Sequence, residues 1–438
     1  MSRYGQWSWI VGSLIGHAWL AYATPRTDTS QLLLLWCGLF LLYAFLLSKR
    51  VEKDFLLLVG AALLFRLVWM FAMAVLSDDV YRFIWDGRLL SHGYNPFLYL
   101  PSQIIDTGWA QEVGLGQELF QKLNSPDYYT VYPPLLQGWF AVATCLGEST
   151  YWATVWLKVP LLLAEAGSLW LLYQLVKEKD EKKARWAILL YGLNPLVIAE
   201  LTGNIHYEGL TIFFLLACFY FWNKQRLYLS AVMLALAVGA KLLPLIFLPL
   251  LISRLKFREQ LMYVAIVGTC VLLPFLPFLD WAIWYNMSDS LGLYFQRFEF
   301  NAGLYYLLRA LGTWLVGYNP IGTLGPVLSL ISLSTILFLS FYRKLPFSFY
   351  ERALLILTVY LLCATTVHPW YVVPLVALGG LTQFRYPVVW SVLLPLTYIS
   401  YGNVPFSESL WVVAVEYLVV GGWLVAELLR RKSGRAMV

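Results

Sequence analysis

Long apolar stretches alternate with short polar ones along nearly the whole chain, and the stretches are of membrane-crossing length. As helices rising 1.5 Å per residue, runs of about 17 to 25 residues cross the ~30 Å of bilayer hydrocarbon. The pattern predicts spans at residues 7–24, 30–48, 55–76, 151–176, 186–201 and 208–222, followed by two short segments at 228–240 and 243–253. Later spans fall at 260–279, 321–342, 351–367, 371–384, 386–400 and 410–429. The expected count is about 12 to 14, since the two short segments around Lys241-Leu242-Leu243-Pro244 either cross or form a re-entrant hairpin. Pro244 and Pro249 suit broken helices, which a membrane accepts where backbone lines a protein cavity. A β-barrel would show short alternating strands instead of continuous apolar runs. The expected fold class is therefore all-α, a polytopic transmembrane helical protein with one membrane-embedded domain over residues 1–438. Two long loops, 77–150 and 280–320, lie on one side and are expected to carry amphipathic helices.

Composition agrees: of 438 residues 60% are hydrophobic, 17% aromatic and only 13% charged, with mean hydropathy +0.67, which excludes a soluble domain. The net charge of +6 is not a nucleic-acid footprint, because the basic residues are sorted by loop. Lys49, Arg50 and Lys53, the run Lys177 to Arg185, Lys224 and Arg226, Arg254 to Arg258, Arg343 and Lys344, and Arg430 to Arg435 occupy alternate span ends. By the positive-inside rule these loops and both termini face the cytoplasm, so the protein is expected as a multi-pass protein of the inner (cytoplasmic) membrane with its long loops outside. Arg3 followed by the apolar run Trp7 to Ala23, without a small-residue cleavage site, suggests a retained first span. Cys37, Cys145, Cys218, Cys270 and Cys363 are scattered and show neither zinc-ligand spacing nor a disulfide framework.

Four polar clusters fall on the outer face by this threading. The first, Ser77-Asp78-Asp79-Val80-Tyr81-Arg82 with Asp86 and Arg88 beyond it, opens the first long loop. Charge at a span end costs free energy, adjacent carboxylates repel, and a carboxylate so raised in basicity can accept a hydroxyl proton. If a helix continues there, Asp78, Arg82 and Asp86 share a face at i, i+4, i+8 and Asp79 lies to the side, which sets Asp78 slightly ahead as the base. The second is the tight turn Glu200 to Gly209, where His206 and Glu208 could orient an acceptor or bind phosphate oxygens. The third is His368-Pro369-Trp370-Tyr371, a stacking ring beside an imidazole that can donate to phosphate. The fourth is Lys241, an ammonium in apolar sequence that needs an anion, for which a lipid phosphate is suitable. Arg297, Glu299, Asn301 and Arg309 in the second long loop are further candidates, or else form loop salt bridges.

With its acidic motif opening a large outer loop, the chain resembles the GT-C superfamily of integral-membrane glycosyltransferases. The resemblance is nearest to the bacterial polyprenyl-phosphate-sugar-dependent mannosyltransferase type, with Gly203 to Gly209, Lys241 to Pro244 and His368 to Tyr371 as further landmarks. It implies an inverting transfer of a sugar, mannose before others, from a polyprenyl-phosphate donor to a lipid-linked or membrane-held acceptor, with neither nucleotide donor nor metal or other cofactor. Asp78 or Asp79 would be the base, and Lys241, His368, Arg82 and Arg297 would hold the phosphate or lipid. Asp86, Arg88, His206, Glu208, Trp370, Tyr371 and Asn301 would meet substrate. Membrane lipids, the donor and the acceptor are the expected partners. In the usual pattern the acidic loop follows the first span, whereas two spans precede its own span here. The rival is a lipid or sugar-lipid transporter, which would show internal repeats and ionisable residues at the bilayer midplane.

Overall fold

The structure is a computed structural model that describes residues 3–49, 54–296, 298–403 and 406–432. The described residues are helical nearly throughout, with no strand beyond one isolated bridge between Phe300 and Thr366. This is a polytopic helical membrane protein. Each apolar run becomes helix because hydrocarbon offers the backbone no partner, so its groups must pair within the segment. Arg3–Tyr22, Thr29–Leu47 and Phe55–Met70 form the first three helices, and Thr150–Val176 is a single helix of 27 residues that continues through Pro160. Glu208–Asn223 and Leu227–Ala240 follow as an antiparallel pair, and Ile321–Phe341, Phe349–Cys363, Pro369–Leu381 and Leu410–Lys432 close the bundle.

Breaks shorten several expected spans. Among the described residues, five helices are long and apolar enough to cross a bilayer, six if one bent pair is a single span, and shorter apolar helices such as Phe55–Met70 and Pro369–Leu381 make up much of the remainder. The bent pair is Glu181–Gly192 with Pro195–Gly203, which meet at 53° where Asn194 caps the second piece. Its last turn, Ile198–Gly203, is wound as a π-helix. Likewise the segment at 243–253 is a 3₁₀ turn, Leu243–Phe247, leading into the short helix Leu248–Ile252, as its two prolines require. On the outside, exposed Leu261, Val264, Leu272, Leu330 and Ile331 form the apolar surface that lipid covers.

Ionisable residues are not confined to the loops and span ends. Arg66 and Glu165 are fully buried within their helices, with Nη2 2.7 Å from Oε2. Arg66 also donates to the carbonyls of Ala62 and Gly192, and Tyr191 donates to the second oxygen of Glu165. Satisfied on every side, the pair binds three helices together where an unpaired charge could not stay.

The first long loop folds on itself. Its helices Asp79–Ser91 and Pro134–Leu146 pack face to face, with Phe83 stacked on Phe140 at 4.7 Å and Ile84, Trp85 and Leu89 buried beside them. Gly87 permits the approach, since a Cβ there would meet the Phe140 carbonyl oxygen at 2.4 Å. The second loop contributes the helices Trp281–Gln296 and Gly303–Val316. Asn286 donates to Phe97 O at 2.9 Å, and the Tyr128 and Phe298 rings meet edge to face at 5.9 Å, so the loops touch.

Candidate active site

The acidic segment is held from below by a buried lysine. Lys158, on the Thr150–Val176 helix, donates to the carbonyls of Trp69 at 2.8 Å and Ala72 at 2.6 Å. An ammonium on the Trp69 carbonyl and on that of Ala72 just beyond the helix caps Phe55–Met70, which ends short of the predicted residue 76. Asn204 then accepts the Leu76 N–H at 3.2 Å, joining the approach to the acidic motif to the turn that carries His206. Asp78 occupies the N-cap of the next helix and Asp79 its first position.

The two aspartates have different surroundings. Asp78 is ion-paired with Arg26 at 2.7 Å, both about one-third exposed. Asp79 accepts from Asn124 at 2.7 Å through one oxygen, while the other lies 4.0 Å from His206 Nε2. Arg26, unnoticed in the sequence, sits in the turn between the first two helices, the same side as the acidic motif by alternation. The face shared with Arg82 that set Asp78 ahead is not a contact, since Asp78 pairs with Arg26 and Arg82 with Asp86.

His206 is buried against Trp370, ring centroids 3.6 Å apart and nearly parallel. Its Nδ1 lies 2.9 Å from Glu200 O and 3.1 Å from Glu200 Oε2, while Nε2 is buried without a partner. The residue before it, Ile205, has φ of 62°, a left-handed conformation that a β-branched residue adopts only under constraint. Glu200 stands on the π-turn and accepts from Tyr398. The stack continues from Trp370 to His368 at 4.4 Å and on to Phe300 at 4.9 Å. Burial first, then the Lys241 ammonium and His206, holds the His368 imidazole down to about 3, so it is neutral at physiological pH. Lys241 is not the isolated ammonium expected, since it is ion-paired with Glu208 and lies 4.4 Å from the Tyr371 ring centre. All four clusters therefore join in one chain of neighbours: Asp79 to His206, His206 to Trp370, and Tyr371 to Lys241 to Glu208.

Other candidates lie elsewhere. Arg82 and Asp86 are buried and paired at 2.8 Å; Arg82 also donates to Ser125 O and Tyr128 O, and Asp86 accepts from Gln137. They clamp the loop from within, and Arg82 Nη2 is buried without a partner. Arg88 donates to Gly114 O and lines a separate cavity with Tyr81, Lys122 and Thr150. Asn301 gives its N–H to Glu408 and its amide to Glu416, which anchors the second loop. Burial is the main cause raising the Glu408 carboxyl. Arg297 lies outside the described residues. Among those described, no group of three or more His, Cys, Asp or Glu is arranged to hold a metal ion.

The family model of the alpha-(1->6)-mannopyranosyltransferase N-terminal domain matches residues 6–255, more than half of the chain. The chain belongs to this mannosyltransferase family. GPI mannosyltransferase 1 of Candida albicans (strain SC5314 / ATCC MYA-2876) is 29% identical over 92 residues, 21% of this chain and 23% of that protein. The similar stretch thus spans under a quarter of that relative, and no solved structure matches the chain. Within this mannosyltransferase family member, Asp78, Asp79, His206, Glu208 and Lys241 all fall inside the matched residues, and His368 to Tyr371 fall outside them. The match begins at residue 6, so Thr29–Leu47 and nearly all of Arg3–Tyr22 lie within the matched residues.

Proposed function

We propose that the protein is an inverting mannosyltransferase, drawing its sugar from a polyprenyl-phosphate donor and passing it to a lipid-linked or membrane-held glycan acceptor. The reading includes an active site on the extracytoplasmic side of the inner membrane and both termini in the cytoplasm. What supports it most is the surroundings of Asp79, a partly exposed carboxylate with one oxygen unclaimed by a close partner, beside stacked rings and a lysine. Such a carboxylate can take the proton of an acceptor hydroxyl as that oxygen attacks the anomeric carbon. The C–O bond to phosphate breaks on the opposite face of the sugar, and the electron pair stays with phosphate. Lys241, at the rim, would exchange part of its pairing with Glu208 for the leaving phosphate, and its preorganised charge then stabilises the developing anion. Trp370 offers a ring face to sugar or lipid. No step of this reading requires a metal ion, and nucleic acid has no part in it.

Incubating the purified protein with radiolabelled polyprenyl-phosphate mannose and native membrane lipids tests the donor class, with label expected in a new lipid-soluble product. No transfer from any polyprenyl-phosphate sugar by folded protein would sink the donor assignment. Movement of the labelled lipid across a liposome bilayer in its place would favour transport.

A further inference from the structure

His206 carries more constraint than a substrate contact needs. Its ring is stacked on Trp370, its chain passes through the left-handed Ile205, and its Nδ1 faces two acceptors, Glu200 O and Glu200 Oε2. Two acceptors at one ring nitrogen fix the tautomer, so Nδ1 carries a proton. Nε2 is then a bare lone pair when the ring is neutral. It is buried, has no hydrogen-bond partner, and is aimed at Asp79 Oδ2 across 4.0 Å. A lone pair facing a carboxylate is a mismatch that one proton between them resolves.

We infer that His206 is the positioning residue of the Asp79 base, clamped by Glu200 so that the proton Asp79 removes from the acceptor is shared with His206 Nε2. The inference rests on the glycosyl-transfer reading. In atoms, the acceptor O–H breaks, its proton goes to Asp79 Oδ2 and its oxygen bonds to the anomeric carbon, while the phosphate departs with the electron pair of its C–O bond. The proton is held between Oδ2 and Nε2 until water removes it through Asp79, which is 22% exposed. Separations between catalytic partners are often long without substrate and tighten when it binds. The groups facing the imidazole are Asp79 from the outer helix, Glu200 with Tyr398 behind it, and His368 across Trp370 with Lys241 beyond. A proton already on Nε2 removes the vacant site, so the loss of His206 should show in the acid limb of the pH–kcat profile.

The test is the pH–rate profile of three proteins: wild type, His206→Gln and Tyr398→Phe. In His206→Gln, kcat is expected to fall about 10²-fold with KM for the donor within threefold. Its acid limb should also move to lower pH, because the imidazole nitrogen that shares the Asp79 proton is gone. Tyr398→Phe keeps the ring and removes only a donor to Glu200. The carboxylate then attracts a proton on His206 more strongly, so the limb should move to higher pH. An acid limb that stays in place in both variants would overturn the inference, whatever the loss in rate, and should His206→Gln not fold, Tyr398→Phe alone decides it. Absence of transfer by the wild type would instead defeat the functional reading, so the two failures are distinguishable.

Discussion

Asp79→Asn should cost ~10² to 10⁴ in kcat, the usual effect of losing a general base, while the protein keeps its fold, because Asn124 can still reach an amide oxygen at that position. Asp78→Asn removes only the pairing with Arg26, and an ion pair one-third exposed contributes about 0–1 kcal/mol. Its loss in rate should stay under tenfold. Transfer measured for the two variants side by side separates them, and an inactive Asp78→Asn beside an active Asp79→Asn would reverse the assignment. The acidic pair itself was legible as charge at a span end. Which member is free was not, since the answer depends on Arg26, 52 positions before Asp78, and on a helix that starts one residue after it. The pairing of Lys241 was hidden for the same reason: its partner, Glu208, belongs to a neighbouring helix. Local spacing cannot report such pairings.

Among elements, the contact between Asp79–Ser91 and Pro134–Leu146 sets how the acidic helix stands over the membrane. Gly87→Ala would drive a Cβ to 2.4 Å from Phe140 O and 2.9 Å from the Thr144 methyl, and backbone cannot yield as a flexible side chain does. Overpacking of this kind costs about 1–3 kcal/mol, so the midpoint of thermal unfolding in detergent should fall, and transfer with it. Gly138→Ala, on the partner helix with nothing within 4 Å, is the matched control and should leave the midpoint level or slightly raise it through helix propensity. Equal effects in both would deny the close approach its role. The apolar runs gave the helices readily, because backbone in hydrocarbon has few options. Their breaks were less legible. Nothing local announces that residues 198–203 wind as a π-turn, or that a lysine 89 residues on ends the third helix. Both follow from packing, and both bear on the site, since one carries Glu200 and the other fixes the approach to Asp78.

Across the whole molecule, the loop contacts fall into two sets. Arg26 with Asp78, Asp79 with Asn124 and His206, Lys241 with Glu208, Phe300 with Thr366 and Asn301 with Glu408 join one set. Lys224 with Glu178 and Arg431 with Glu351 join the other. No residue is shared between them, as expected if every apolar element from Arg3 to Lys432 crosses in turn. The second set is rich in Lys and Arg, so by the positive-inside rule we propose that it faces the cytoplasm. A membrane-impermeant thiol reagent checks this on intact cells and on inverted vesicles, once exposed Cys37 and Cys145 have been replaced. A cysteine at Asp127, in the first long loop, should label from outside, and one at Lys179 only in inverted vesicles. The decisive position is Gln225, in the turn between Glu208–Asn223 and Leu227–Ala240, helices of 16 and 14 residues. At 1.5 Å per residue they reach only about 24 and 21 Å, short of the ~30 Å of hydrocarbon. Labelling of Gln225→Cys from inverted vesicles alone is expected, because its neighbour Lys224 pairs with Glu178 beside Lys179, and it means that both cross through a locally thinned layer. Labelling from outside would make the pair a re-entrant hairpin, and Glu208 and Lys241 could then share a face without either helix crossing.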